Sequence, residues 1–129
     1  MYLQDFSSET LELVLDKLIE RTNNDVIEWT SNFPIPLDDP NNTSYSFEID
    51  DGTGNMVNVV MEQNYDPICM GDVVMFYWFD ENDYKNSIPL DYTNPKITNL
   101  LNAIRTQTYR MKIADVNNDV ASLNSWLGN

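Results

Sequence analysis

Apolar residues in the first part of the chain recur with the spacing of an amphipathic helix. Ser7 and Ser8 precede this segment as candidate N-caps, and the polar sequence Asn23-Asn24-Asp25 follows it. Residues three and four positions apart share one stripe of a helix and are expected to face a core; here they are Leu11, Val14, Leu15, Leu18 and Ile19. The pattern predicts an N-terminal helix that ends at the Asn-Asn-Asp sequence.

In the middle of the chain the period changes to two, which is typical of β-strands. Apolar and polar residues alternate over residues 44–50 and 56–61, and a glycine-containing turn joins them, so this region predicts a β-hairpin. Val73–Phe79 predicts a further strand, and Val26–Thr30 a short one. Between Ser31 and Asn42, proline residues predict a loop.

The last third of the chain returns to helical spacing. Asn94-Pro95 is a typical helix start, because asparagine caps well and proline suits the first helical position. Two apolar stripes follow: Ile97, Leu100, Leu101 and Ile104, and then Val116, Val120, Leu123 and Leu127. The sequence therefore predicts a single α+β domain over residues 1–129, an antiparallel β-meander of three to four strands flanked by an N-terminal helix and one or two C-terminal helices.

Charge is distributed unevenly along this pattern. The net charge is −14, yet residues 92–114 carry +4 and contain no acidic residue, whereas residues 1–91 carry −16. The cations of the basic segment are expected to complement the helix dipole or to pair with the acidic first helix. An anion-binding patch is disfavoured, and so is direct nucleic-acid binding, because that depends on many cations that displace counterions from phosphates.

The residue inventory excludes several kinds of chemistry. The chain has no histidine and a single cysteine, Cys69, which rules out Ser-His and Cys-His nucleophile systems, His-ligated metals, zinc sites and iron–sulfur clusters. Paired carboxylates remain, but short turns without a cleft disfavour glycosidase-like chemistry. We therefore expect no enzymatic activity, no cofactor and no metal.

Cellular location follows from the same inventory. Cys69 cannot form an intramolecular disulfide, and its apolar neighbours favour a buried structural thiol. Met1–Glu12 lacks a basic start and an apolar run, so the sequence predicts no signal peptide. The longest apolar run, Val73–Phe79, is far shorter than the ~20 residues that span a bilayer. These features predict a cytoplasmic protein.

An acidic edge is the first candidate site. In an up-down-up meander the first and third strands end at the same edge of the sheet, which brings together Asp50, Asp51, Asp80, Glu81 and Asp83. Such carboxylates form solvated turns, the interpretation we favour, or bind Ca²⁺, or meet a basic partner. Neither turn has EF-hand spacing.

The strand Val73–Phe79 is apolar on both faces, which is the second candidate feature. One face carries Val74, Phe76 and Trp78, and the other Val73, Met75, Tyr77 and Phe79. A strand of this kind needs cover on both sides, which the helices would supply on one face and the proline-rich segment or the N-terminus on the other. Alternatively, Met75, Tyr77 and Phe79 form an exposed anchor for a partner or a second copy.

In its overall character, the chain resembles small inhibitor, immunity or accessory proteins of phages and bacterial mobile elements, a likeness of composition rather than of motif. It implies a non-enzymatic protein that binds a basic partner, such as a nucleic-acid-binding protein or nuclease, and mimics nucleic acid. Under every interpretation we expect no direct binding to nucleic acid or to a membrane. One alternative is a self-assembling structural or accessory protein of a phage or mobile element, with a homodimer as the candidate assembly. The other is a small-ligand or Ca²⁺-binding module.

Overall fold

The structure, a computed structural model, describes residues 1–32, 43–66, 68 and 70–126. The interpretations of Cys69 and of the proline-rich loop beyond Asn32 concern residues outside these ranges. The elements are, in order, a short 3-10 helix (Leu3–Asp5), α1 (Leu11–Asn23), β1 (Thr30–Ser31), β2 (Thr43–Asp50), β3 (Met56–Asp66), β4 (Gly71–Phe79), β5 (Lys85–Leu90) and α2 (Pro95–Trp126).

The strands form one antiparallel meander in the order β1-β2-β3-β4-β5. The predicted α+β fold is therefore confirmed, with five strands where three to four were expected. The unpredicted strand is β5, in which Asn86, Ser87 and Pro89 obscure the alternation of buried Ile88 and Leu90. Proline is tolerated there because β5 is an edge strand.

One face of the sheet packs under α1 and α2 and forms the hydrophobic core. Phe76, at the centre of β4, is fully buried and lies opposite Met61 of β3 and Ile88 of β5. Phe6 meets it edge-on, with ring centroids 5.8 Å apart. The predicted helical stripes supply the other layer, and its most deeply buried members are Leu15, Leu18, Ile97, Leu100 and Ile104. The core thus joins residues from the N-terminal segment, the sheet and the first turns of the C-terminal helix, from Phe6 to Ile104.

The start of α2 is as predicted, and of the one or two C-terminal helices expected the structure has one. Asn94 caps the helix by accepting a hydrogen bond from the Lys96 backbone N–H (3.0 Å). Where a second helix was one of the alternatives, α2 continues unbroken for 32 residues, a length of about 48 Å. Gln107 is the last buried residue among its described side chains, and Tyr109, Met111 and Ile113 are exposed. The helix therefore extends beyond the core.

None of the helices in the described ranges is long and apolar enough to cross a bilayer.

Two cations of α2 pair with acids on or near α1. The Lys96 ammonium lies 2.9 Å from a Glu12 carboxylate oxygen and 3.0 Å from one of Asp16. Arg110 donates from both terminal nitrogens to Asp25, at 3.2 and 2.9 Å. The expected pairing between the basic segment and the acidic first helix is thus present for Lys96 and, just past the end of α1, for Arg110.

A buried polar network joins α2 to the segment that follows α1. Gln107 is 1% exposed, and its Oε1 accepts a hydrogen bond from the Trp29 backbone N–H (2.8 Å). Its Nε2 donates to the Ile27 carbonyl at 2.6 Å, with longer contacts to Thr22 and Asp25. The Trp29 indole N–H donates to the Thr22 hydroxyl (2.9 Å). This network satisfies the buried polar side chains of Gln107 and Thr22 and the indole N–H of Trp29.

Candidate functional site

A broad depression of ≈ 760 Å³ lies at the end of the sheet where the sequence places the acidic edge. The β2–β3 and β4–β5 turns both lie at this end, because Asp50 pairs with Met56 and Phe79 pairs with Lys85. Five of the eight predicted site residues line the depression: Asp51, Asp80, Glu81, Tyr77 and Phe79. The meander topology is therefore sufficient to bring carboxylates of two separate turns beside the aromatic end of β4.

The other three predicted residues lie nearby but do not line the depression. Asp50 and Asp83 belong to the same two turns. Met75 is half-buried further along β4, where it faces Glu62 of β3 and Pro89 of β5. The predicted set therefore divides into a compact group of five and three residues at its margin.

In the β2–β3 turn, the carboxylates hold the backbone. Asp50 Oδ1 accepts hydrogen bonds from the backbone N–H groups of Gly52 (2.8 Å) and Gly54 (3.0 Å). Both glycines have positive φ, +102° and +94°, a conformation that favours glycine. Asp51 Oδ1 accepts from the hydroxyl and the backbone N–H of Thr53, and these bonds, that of the hydroxyl first, lower the pKa of Asp51. The turn thus fixes the position of its own negative charge.

Asp80 has the same function in the β4–β5 turn. Its Oδ1 accepts from the backbone N–H groups of Asn82 (2.9 Å) and Tyr84 (3.0 Å), and its Oδ2 accepts from the Asn86 side chain (3.2 Å). These hydrogen bonds, the one from Asn86 foremost, lower the pKa of Asp80. By contrast, no hydrogen bond or ion pair within the described ranges involves the carboxylates of Glu81 and Asp83.

The favoured interpretation of these acids as turn residues is therefore correct for Asp50, Asp51 and Asp80, and the sequence contained the signal. Aspartate followed two residues later by glycine, threonine or asparagine is the pattern of a side chain that binds its own turn. Holding a turn and binding a partner are compatible for Asp51 and Asp80, because the hydrogen bonds that fix their carboxylates also lower their pKa and so favour the charged form.

Acidification is expected to remove the contribution of Asp80 to folding stability. Because its pKa in the folded protein is below the ordinary 3.8, this contribution is complete above that value and is lost as the pH falls through the folded-state pKa. Asp80→Asn keeps an acceptor oxygen but cannot titrate. Wild type should therefore melt at a higher temperature than Asp80→Asn near neutral pH, and this difference in melting temperature should narrow below pH 3.8.

Glu81→Gln is the matched control, since it removes one charge from the same turn and no side-chain hydrogen bond within the described chain. The difference in melting temperature between Glu81→Gln and wild type should not narrow below pH 3.8, as the difference for Asp80→Asn does. If the difference in melting temperature between wild type and Asp80→Asn stayed constant down to about pH 2, the turn would not depend on the ionised carboxylate.

Two aromatic side chains, Tyr77 and Phe79, line the depression together with the apolar residues Leu3, Met56, Val57 and Val60. Phe79 is 54% exposed, and Tyr77, half-buried, meets it edge-on with centroids 6.2 Å apart. The Lys85 ammonium lies 4.4 Å from the centroid of the Tyr77 ring. Burial, and after it the charge and hydrogen bond of Glu62, raises the pKa of Tyr77. Phe79 therefore offers exposed apolar surface to a partner.

The sequence predicted that the N-terminus or the proline-rich segment would cover the face of β4 that carries Tyr77 and Phe79. Phe6, from the N-terminal segment, packs against Phe47, Phe76 and Trp78, which places it on the helix-covered face. Residues 33–42, the rest of the proline-rich segment, lie outside the described ranges. Within those ranges, no group of three or more histidine, cysteine, aspartate or glutamate side chains is placed to hold a metal ion.

Comparison with known proteins gives no relative. No family model matches the chain, and neither a curated protein nor a solved structure shows significant similarity to it.

Proposed function

We propose that this chain is a cytoplasmic, non-enzymatic binding protein whose acidic edge engages a basic protein. The carboxylates of the two turns meet the cations of the partner, and Phe79 and Tyr77 supply the apolar contact. The partner class that fits best is a nucleic-acid-binding protein or nuclease, because the groove of such a protein already accepts an array of negative charges. The chain then acts as an inhibitor that mimics nucleic acid, as an immunity protein or a phage accessory protein does.

The observation that carries the proposal is the juxtaposition of Asp51, Asp80 and Glu81 with Phe79 in one depression. Aromatic side chains contribute disproportionately to binding when they are desolvated, and surrounding charges accelerate and orient the encounter. Neither kind of group alone is unusual on a protein surface. Their combination at one end of the sheet gives a partner both steering and an anchor.

The charge of the edge is only weakly compensated from within the chain. Lys96 and Arg110 are occupied by acids on or near α1, and Lys85, the cation nearest the depression by strand pairing, lies over the Tyr77 ring. Because the hydrogen bonds of Asp51 and Asp80 fix their orientation, little side-chain entropy is lost when a partner arrives.

Neutralising the edge without disturbing its turns is expected to weaken binding at low salt. Glu81→Gln combined with Asp83→Asn removes two charges and no side-chain hydrogen bond within the described chain, and asparagine suits the positive φ of position 83, +60°. We expect a loss of about three- to tenfold in affinity for a basic partner isolated by affinity capture on the wild-type chain, measured by biolayer interferometry at low and at physiological salt.

The matched control is Glu9→Gln combined with Glu20→Gln, which changes the net charge equally on the helical side of the molecule, at exposed positions. If both double variants lost the same affinity, the net charge rather than the edge would be responsible, and the proposed site would be wrong.

Self-association is the second candidate function, and the exposed part of α2 favours it. Tyr109 and Ile113 are exposed and lie one turn apart on the helix beyond the core. The sequence continues this spacing at Val116, Val120 and Leu123, which is the alternation of three and four typical of a coiled-coil seam. Light scattering at tens of micromolar distinguishes a monomer from an assembly. The monomer mass of 15.0 kDa at every concentration would exclude self-association.

A further inference from the structure

A cleft of ≈ 200 Å³ lies between the helix-covered face of the sheet and the first turns of α2. It is separate from the acidic edge and shares no lining residue with it. Its apolar wall consists of Val74, Ile97 and Leu101, all buried, and its polar groups include Gln63, Thr98 and Arg105. The cleft thus combines an apolar surface with a small number of polar side chains, as ligand sites do.

Gln63 is the anomalous residue of this cleft. Its side chain is 7% exposed, yet it makes no hydrogen bond within the described part of the chain. An amide carries an acceptor oxygen and two N–H donors, and buried polar groups are nearly always paired. Gln107, the other buried glutamine, shows the usual outcome, because its amide is bonded to Trp29 and Ile27.

Arg105 is the second unsatisfied group. It is half-buried and forms no ion pair or side-chain hydrogen bond within the described ranges, although the chain carries a net charge of −14. Lys96 and Arg110, on the same helix, both pair with carboxylates. A guanidinium with five N–H donors beside a buried amide is a set of groups suited to a carboxylate, which accepts from both.

We propose that this cleft binds a small organic carboxylate. Arg105 holds the carboxylate group, the Gln63 amide donates a second hydrogen bond to it, and the apolar remainder of the ligand packs against Val74, Ile97 and Leu101. A cavity of roughly 150 Å³ accepts benzene, so the apolar part is of the size of a benzene ring or a short branched alkyl group. This site is independent of the binding function proposed above.

Calorimetric titration with benzoate and with 3-methylbutanoate, each against sodium chloride of equal ionic strength, tests this site. The wild-type protein is expected to show saturable binding of at least one probe and a rise in melting temperature with it. Arg105→Gln should weaken that binding about ten- to hundredfold. Lys112→Gln makes the same charge change at an exposed position of α2, outside the cleft, and should change affinity less than about twofold.

The variant Gln63→Met tests whether the Gln63 amide binds a ligand or instead stabilises the fold. Because the ligand-free amide has no hydrogen-bond partner among the described residues, the variant should melt at the same temperature as wild type or higher without ligand, and should bind the probes more weakly. Absence of saturable binding by both probes, or equal effects of Arg105→Gln and Lys112→Gln, would overturn the proposal. So would a clearly lower melting temperature of ligand-free Gln63→Met, which would mark the cleft as a structural hydration site.

Discussion

Replacing Phe76 with alanine is expected to lower the free energy of unfolding by about 3–5 kcal/mol. Phe76 has 0% exposure at the centre of the helix-covered face, and its ring contacts that of Phe6. The substitution removes an entire buried ring, and the strands on both sides of β4 limit how far the core can close around the resulting cavity. Urea denaturation followed by tryptophan fluorescence measures the loss.

Phe79 provides the matched control on the same strand. It is 54% exposed and lies on the opposite face of β4, so Phe79→Ala removes an identical ring at a cost of at most about 1 kcal/mol. Equal losses from the two variants would contradict the assignment of faces, and with it the availability of Phe79 for a partner.

Replacing Gln107 with methionine is the second change from which we expect a large effect, about 2–4 kcal/mol of lost unfolding free energy. Methionine preserves the length and approximate volume of the side chain, so the hydrogen bonds are the main difference. The Trp29 N–H and the Ile27 carbonyl lose their partner in a place where water cannot easily replace it. Denaturant unfolding of both proteins at one pH gives the difference.

Gln63→Met is the control for this variant, because it makes the same substitution at a buried glutamine that has no hydrogen bond within the described chain. We expect the Gln107 variant to be clearly less stable than the Gln63 variant. A loss below about 0.5 kcal/mol for Gln107→Met would mean that the network contributes nothing net to the packing of α1 against α2.

The sequence predicts the elements whose signal is local. The stripe around Leu15 and Leu18, the hairpin of β2 and β3, and the Asn94 cap follow from spacing that needs no tertiary information. β5 was missed because Pro89 breaks its pattern, a feature that only its position at the sheet edge makes tolerable. The sequence left one or two C-terminal helices open because the apolar stripe that ends at Ile104 and the one that begins at Val116 are separated along the chain. The structure joins them in one helix, and Arg110, Met111 and neighbouring residues favour helix intrinsically.

The candidate site was predictable to the extent that topology determines it. Antiparallel pairing alone places the turns that contain Asp51 and Asp80 at one end of the sheet. The buried glutamines were not predictable, because hydropathy patterns assign every polar residue to the surface. Gln107 and Gln63 are recognised only when the packing of α2 on the sheet and on the Trp29 segment is known.

The most direct test of the acidic edge is affinity capture from the cells in which the protein is made, with wild type and Phe79→Ala as parallel baits. Retained proteins are eluted with a salt gradient and identified by mass spectrometry. The proposed function predicts a basic nucleic-acid-binding protein that leaves wild type in a narrow salt window and is depleted on Phe79→Ala. The proposed function would be contradicted if both baits retained the same proteins. It would also be contradicted if the only protein recovered were the bait itself, still bound at high salt.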